Sequence, residues 1–193
     1  MADRFVNLFE PDTLLPAQYF AAFSREGGLV RERRLMLAVL QDAVECYQKY
    51  ALARDPRSSD AHRELANAYD RLGQRDRVEA TYRKAIELSP DYWVNHSYFG
   101  SYLVTHGRAS EAEAQYKKAL ALVPDNARTW SGLGAAYYAQ SKYDEAERAW
   151  RKSLSLFPTS AAASNLGTRQ FFQGRYAEAA RDWSALIRDY PSH

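Results

Sequence analysis

Four histidines, one cysteine and a set of recurring carboxylates are the side chains from which metal, nucleophilic or acid–base chemistry would have to be assembled. His62 and His96 stand 34 residues apart, on the same period as Trp130. A metal pair needs convergence, whereas equivalent sites on successive units lie side by side, so both histidines are expected to pack. His106 falls near a helix end and His193 at the terminus, and both are expected in solvent. Cys46 is the sole cysteine, which excludes an internal disulfide and a thiolate metal cluster. It lies on an apolar helical stretch and is expected to be buried and inert. Glu111, Glu113, Asp144, Glu145 and Glu178 recur in the first turns of predicted helices, where they complement the helix dipole. The chain carries no Gly-rich phosphate loop, zinc spacing, nucleophile elbow or calcium loop. The expectation is therefore no enzyme, no metal and no cofactor.

The elements that hold these residues are set out by prolines. Of seven, five keep a beat, Pro56, Pro90, Pro124, Pro158 and Pro191, with steps of 34, 34, 34 and 33 residues. Pro11 and Pro16 fall outside it. Between beats other residues recur. The clearest unit has Trp130, Leu133-Gly134, Tyr137, Ala146, Trp150 and Pro158. The unit before it has His96, Phe99-Gly100, Leu103, Ala112, Tyr116 and Pro124 at the same spacings. His62, Leu65-Ala66, Tyr69, Val78, Tyr82 and Pro90 form the first, and Ala163, Leu166-Gly167, Gln170, Ala179, Trp183 and Pro191 the last. Leu133 and Tyr137 share one face of a first helix, and Ala146, Trp150 and Ser153 the facing stripe of a second. Gly100, Gly134, Gly167 and Ala66 are small, which predicts close approach of the paired helix backbones. Gly73, Gly107 and Gly174 are placed to end first helices in a left-handed turn, with Ser141 at that position in the third unit at some cost.

Period and signature residues together resemble the tetratricopeptide repeat (TPR), four units in phase over Ser58 to Pro191. The resemblance implies an all-α fold, an α-solenoid of about four helical hairpins at 58–91, 92–125, 126–159 and 160–191. A hairpin cannot bury its apolar stripe alone, so neighbours stack into a curved superhelix. The third and fourth units look like bacterial repeats attached to kinases or cyclases.

In that family the groove is lined by the exposed side of each first helix. By phase, that side carries Arg63, Asn67, Asp70 and Arg71, then Ser97, Ser101, Val104 and Thr105. It continues through Arg128, Ser131, Ala135 and Tyr138 to Ser164, Thr168, Phe171 and Phe172. Such a groove is charged near its start and aromatic near its end, where Tyr138, Phe171 and Phe172 either anchor an apolar side chain or pack into the next helix or a missing cap. Some family members clamp the C-terminal carboxylate of heat-shock chaperones with basic residues and asparagines. Arg63, Asn67 and Arg128 match three of those sites. Tyr98 stands where the clamp wants an asparagine and Gly132 where it wants a base.

Outside the repeats, one period before Leu65-Ala66 falls Arg31-Glu32, so the pattern does not continue there. Val30 to Arg54 reads as one long helix with Leu37, Leu40, Val44, Tyr47 and Ala51 along a face, and segment 30–57 is expected to cap the array. Segment 1–29 holds a shorter helix, Pro16 to Arg25, and an apolar tail with Phe5, Val6, Leu8, Phe9, Leu14 and Leu15. The tail either packs on the capping helix, lies in the array's own groove, or docks on a second copy. At the other end Trp183, Leu186, Ile187 and Tyr190 are expected to leave an apolar strip, as an interface for self-association, a truncated junction or a tolerated exposure.

Composition fits this picture. The 26 Lys+Arg against 24 Asp+Glu leave a net charge of +2, without the basic excess that nucleic acid requires. No stretch approaches the roughly 20 apolar residues of a membrane span, and the first ten residues do not form a secretory signal. The expectation is a cytoplasmic, bacterial scaffold or adaptor that binds a protein or peptide. Its alternatives are a self-assembling homo-oligomer and a docking module of a larger signalling protein.

Overall fold

The structure, a computed structural model, describes residues 29–158 and 160–189. The side chains of residues 29–33, 160 and 185–189 are not described. The apolar tail, the short helix expected over 16–25, Tyr190, and the side chains of Leu186 and Ile187 therefore lie outside the described residues. Among those described, every regular element is a helix.

Helix α1 spans Leu29–Cys46, passes through a π turn at Tyr47–Ala51 and ends with one α turn, Leu52–Arg54. Four hairpins follow: α2 Ser59–Arg71 with α3 Arg75–Leu88, and α4 Trp93–Thr105 with α5 Ala109–Leu122. Then come α6 Ala127–Ala139 with α7 Tyr143–Leu156, and α8 Ser160–Phe172 with α9 Tyr176–Asp189. The hairpins form an α-solenoid, as the proline beat predicts.

Local chemistry fixes the boundaries. Ser58 caps α2 by accepting from the Ala61 N–H at 3.2 Å, and Asn126 caps α6 by accepting from Thr129 at 2.8 Å. All four first helices end in one Schellman turn: Gln74, Arg108, Lys142 and Arg175 donate N–H to the carbonyls of Tyr69, Leu103, Tyr137 and Gln170 at 2.8–3.0 Å. The turn needs a left-handed residue, supplied by Gly73, Gly107 and Gly174 at φ 73 to 76° and by Ser141 at φ 61°. Three of the prolines also give a carbonyl to the helix that follows. The ring N–H of His62, His96 and Trp130 reaches the oxygen of Pro56, Pro90 and Pro124 at 3.2, 3.0 and 2.7 Å. His62 thus splints the loop that leads into the first hairpin and His96 the loop between the first and second, a more specific role than packing.

The core runs along the hairpin interfaces. Leu65, Tyr69, Val78, Tyr82, Phe99, Leu103, Tyr116 and Leu133 form one continuous cluster, and Ala146, Trp150, Ala162 and Leu166 a second, with Tyr137 packed against both. The small residues at 134 and 167 correct the expectation of backbone-to-backbone approach. A Cβ at either glycine would lie 2.4 Å from the indole nitrogen of Trp150 or Trp183, so the room is for an indole of the second helix. In α1, Leu40 and Ala43 are buried, Val44, Tyr47 and Leu52 pack on the first hairpin, and Gln48 donates to the Tyr69 hydroxyl at 2.6 Å. Cys46 is half-buried, and burial pushes its thiol pKa up, away from the reactive thiolate.

Candidate functional site

The first helices α4, α6 and α8 share one face that encloses a hollow of about 310 Å³. From α4 it takes Ser97, Tyr98, Ser101, Val104 and Thr105; from α6 Arg128, Ser131, Gly132 and Ala135; from α8 Ala161 and Asn165. Tyr116 reaches in from α5. Helical phase alone places seven of these on the groove: Ser97, Ser101, Val104, Thr105, Arg128, Ser131 and Ala135. Ser97 and Ser131 line it while being almost wholly buried, not exposed. Phase does not mark Ala161, Asn165 or Tyr116. Asn165 follows Ser164 by one residue, as Tyr98 follows Ser97 and Gly132 follows Ser131. A helix face is about 100° wide, so the neighbouring phase belongs to the wall too.

Tyr116 explains the glycine at 132. A Cβ there would meet its ring at 2.5 Å, so the phenol occupies the volume a side chain would need. Burial raises its pKa to about 12, against the lowering influence of the Ser101 hydrogen bond and the Arg128 charge. The hydroxyl is a neutral donor and acceptor at ordinary pH.

Arg128 is exposed, with its guanidinium 5.5 Å from the Tyr98 ring, and among the described residues no carboxylate pairs with it. Arg63 lies 5.2 Å from the same ring but differs in every other respect. It is 9% exposed and donates to Asp60 and Glu64 of its own helix. Glu64 also accepts from Asn67 at 3.1 Å, and the Asn67 oxygen accepts from Tyr82. The first three predicted groove positions thus fall apart: Arg63 and Asn67 are engaged internally, and Asp70 pairs with His106 at 3.2 Å. His106 is correspondingly part-buried, its ring tilted at 35° and 4.3 Å from that of Tyr102, in place of the solvated ring expected. Arg71 remains exposed at the end of α2.

Along α6 and α8 the same face turns aromatic. Ser164 and Thr168 are exposed, and one turn further stand Phe171 and Phe172, 46% and 78% exposed. Tyr138 is 43% exposed. Tyr138 meets Tyr143 edge-on at 5.3 Å and Phe171 meets Tyr176 edge-on at 5.3 Å, the same pair one repeat apart. Trp150 and Trp183 back the two pairs at 5.8 and 6.0 Å.

The second helices carry a different chemistry. Arg108 donates to Glu79, Lys142 to Glu113 at 2.9 Å and Arg175 to Glu147 at 2.8 Å, each bond joining one hairpin to the next. Arg108 and Arg83 hold the Glu79 pKa down to about 2. Burial would raise that of Glu113, but Lys117, Lys142 and Gln140 outweigh it and bring it to about 2. Glu113 therefore staples two hairpins, beyond the dipole role expected of it.

Among the described residues no cluster of three His, Cys, Asp or Glu side chains could hold a metal ion. Among them also, no helix is long and apolar enough to cross a membrane.

Known proteins share this geometry. Two family models of the tetratricopeptide repeat match the chain, over residues 59–92 and 99–161. A thermophilic TPR protein of Thermus thermophilus superposes with a TM-score of 0.69 at 20% identity, over 83% of this chain and 88% of that one. MamA from Desulfovibrio magneticus RS-1 gives 0.65 at 19%, over 81% and 89%. The first TPR domain of Spaghetti (RPAP3), bound to the HSP90 peptide SRMEEVD, gives 0.56 at 26%, over 62% and 94%. No curated protein matches in sequence. The two matched spans, of 34 and 63 residues, together cover 97 of the 193 residues, all within the run of hairpins, and on that ground the chain belongs to the tetratricopeptide repeat family.

Proposed function

We propose that the chain is a protein-interaction scaffold that holds a peptide segment of a partner against α4, α6 and α8. The observation that carries this is the hollow itself: it is preformed, lined by hydroxyls, and contains an arginine with no acid paired to it among the described residues. A rigid receptor loses little conformational freedom on binding, so a few anchors suffice. In this reading 1–29 is an accessory segment, 30–57 a cap and 58–193 the binding array. The protein acts by binding and not by catalysis, in a bacterial cytoplasm.

The peptide complex of RPAP3 suggests what class of ligand such an array takes, yet the carboxylate clamp does not transfer. Arg63 and Asn67 are tied to Asp60, Glu64 and Tyr82, and Tyr116 fills the space beside Gly132. The proposed contacts are instead Ser97, Ser101, Thr105, Ser131 and Arg128, continued by Ser164, Thr168 and the aromatic residues. A photo-crosslinking side chain at Ser101 is expected to capture a partner, and one at Lys118 on α5 to capture none. Capture from Lys118 alone would move the binding face to the second helices.

A further inference from the structure

We propose that the hollow between α4, α6 and α8 reads an acidic side chain of the bound segment, its carboxylate taken by the Arg128 guanidinium and the Asn165 amide. The proposal rests on the groove reading above and names the chemistry of its ligand. Its first ground is charge. Among the described residues that line the hollow, Arg128 is the only charged one. Arg63 and Arg169, also on first helices, are neutralised within the array, by Asp60 and Glu64 and by Asp144 and Glu147. Arg128 instead lies over the Tyr98 ring at 5.5 Å. A face contact of this kind leaves the N–H edge of a guanidinium open, and that edge matches the two oxygens of a carboxylate.

Its second ground is a donor from the next hairpin. Asn165, half-buried on α8, lines the same hollow, and its side-chain amide makes no hydrogen bond among the described residues. An amide NH2 donates two hydrogen bonds, and a carboxylate only accepts. A guanidinium and an amide at one hollow therefore suit a carboxylate better than a backbone carbonyl, which would leave the charge unmet. Asn165 lies one hairpin beyond the clamp positions, which run from Arg63 to Gly132, so this pair is a different arrangement. The third ground selects the source of the anion. One uncompensated cation balances a carboxylate, whereas a phosphoester carries a charge of about −1.5 to −2 at neutral pH. The wall continues on both sides of Arg128, through exposed Ser101 and Thr105 on α4 and exposed Ser164 on α8. A segment running along that wall passes through the hollow and brings a side chain to it, not its end.

The test is a nuclear magnetic resonance titration of the whole chain with a blocked heptapeptide, acetyl-Ala-Ala-Ser-Glu-Ser-Ala-Ala-amide, against its glutamine counterpart. Saturable shifts of the Arg128 Nε–H and the Asn165 side-chain amide are expected with the glutamate peptide. Binding of the glutamine peptide is expected to be weaker by about tenfold or more. Arg128→Gln is expected to remove that preference and Arg128→Lys to keep part of it; Arg128 is exposed, so neither change disturbs the core. Equal affinity for the two peptides, or a preference that survives Arg128→Gln, would overturn the proposal. So would tighter binding than the glutamate peptide by its phosphoserine counterpart, or by the glutamine peptide with a free C-terminal carboxylate, each of which assigns the anion to another source. Absence of saturation up to millimolar peptide, with the Ser101 cross-link intact, would overturn this proposal and leave the groove reading standing.

Discussion

The third and fourth hairpins share a backbone and differ in what they bury. Both seat an indole over a glycine, Trp150 over Gly134 and Trp183 over Gly167, and both raise an aromatic pair at the groove edge. In the third hairpin the positions beside these are Ala136, fully buried, and Tyr137, packed into the core. In the fourth they are Arg169 and Gln170, 6% and 0% exposed. Arg169 is held by Asp144 and Glu147 of α7, and Gln170 by Asp182 of α9 at 2.9 Å. The Arg169 Nε and the Gln170 Oε1 have no hydrogen-bond partner among the described residues. One hairpin is stabilised by area, the other by polar bonds that leave two buried groups unmet. Each unmet group costs about 1–3 kcal/mol. Stability in a stacked array is set by each unit and its neighbour contacts, so the fourth hairpin should open before the third.

Removing the two indoles gives the largest separation. Trp150 is 2% exposed and its N–H donates to the Ser131 carbonyl at 3.2 Å. Trp150→Ala should cost about 3–5 kcal/mol and shift the urea midpoint of the whole array. Trp183 is only partly buried, so Trp183→Ala should cost roughly half as much. Its effect should be confined to faster amide exchange in α8 and α9. Equal losses in the two variants would erase the distinction between the hairpins.

Replacing the buried amide tests the reason for the difference. Gln170→Leu removes the unpartnered oxygen and restores the apolar character held by Leu103 and Tyr137 in the two preceding units. Asp182 keeps access to water, since about a quarter of its side chain is exposed. Thermal unfolding should rise, with a gain of about 1 kcal/mol. A fall would mean that the Gln170–Asp182 bond outweighs the orphaned oxygen.

Most of the fold can be read from the chain, because the proline beat and the Leu-Gly and aromatic positions encode local helix contacts. The groove is readable only where phase alone sets the outcome. Ser101, Thr105 and Arg128 are found that way. Phase misplaces Arg63 and Asn67, because whether a cation faces a ligand depends on acids one turn away on its own helix, which phase ignores. Tyr116 escapes as a groove residue because its signature position predicts core packing, and only the absent side chain at Gly132 lets its ring reach the hollow. The staples between hairpins join residues 28 or 29 apart, an interval that no single-helix periodicity contains. The π turn in α1 has no marker in sequence: Tyr47 to Ala51 includes no proline or glycine.

The smallest expected effect isolates the backbone. Ser141 and Gly174 sit at the same point of the same turn, at φ 61° and 76°. An added Cβ at Gly174 meets nothing within 4 Å, so steric contact does not confuse the comparison. A non-glycine residue in this region is strained by about 1–2 kcal/mol. Glycine loses more freedom on folding, which takes back about 0.4–1 kcal/mol. The difference predicts that Ser141→Gly stabilises by about 0.5–1 kcal/mol and that Gly174→Ala destabilises by a similar amount. Thermal melts of both variants check the sign. If the two shifts are equal and opposite, the turns are interchangeable, and the contrast between the hairpins resides in their buried side chains. If Gly174→Ala costs more than Ser141→Gly returns, the fourth hairpin depends on its turn as well, because its polar core tolerates less displacement than the aromatic core of the third.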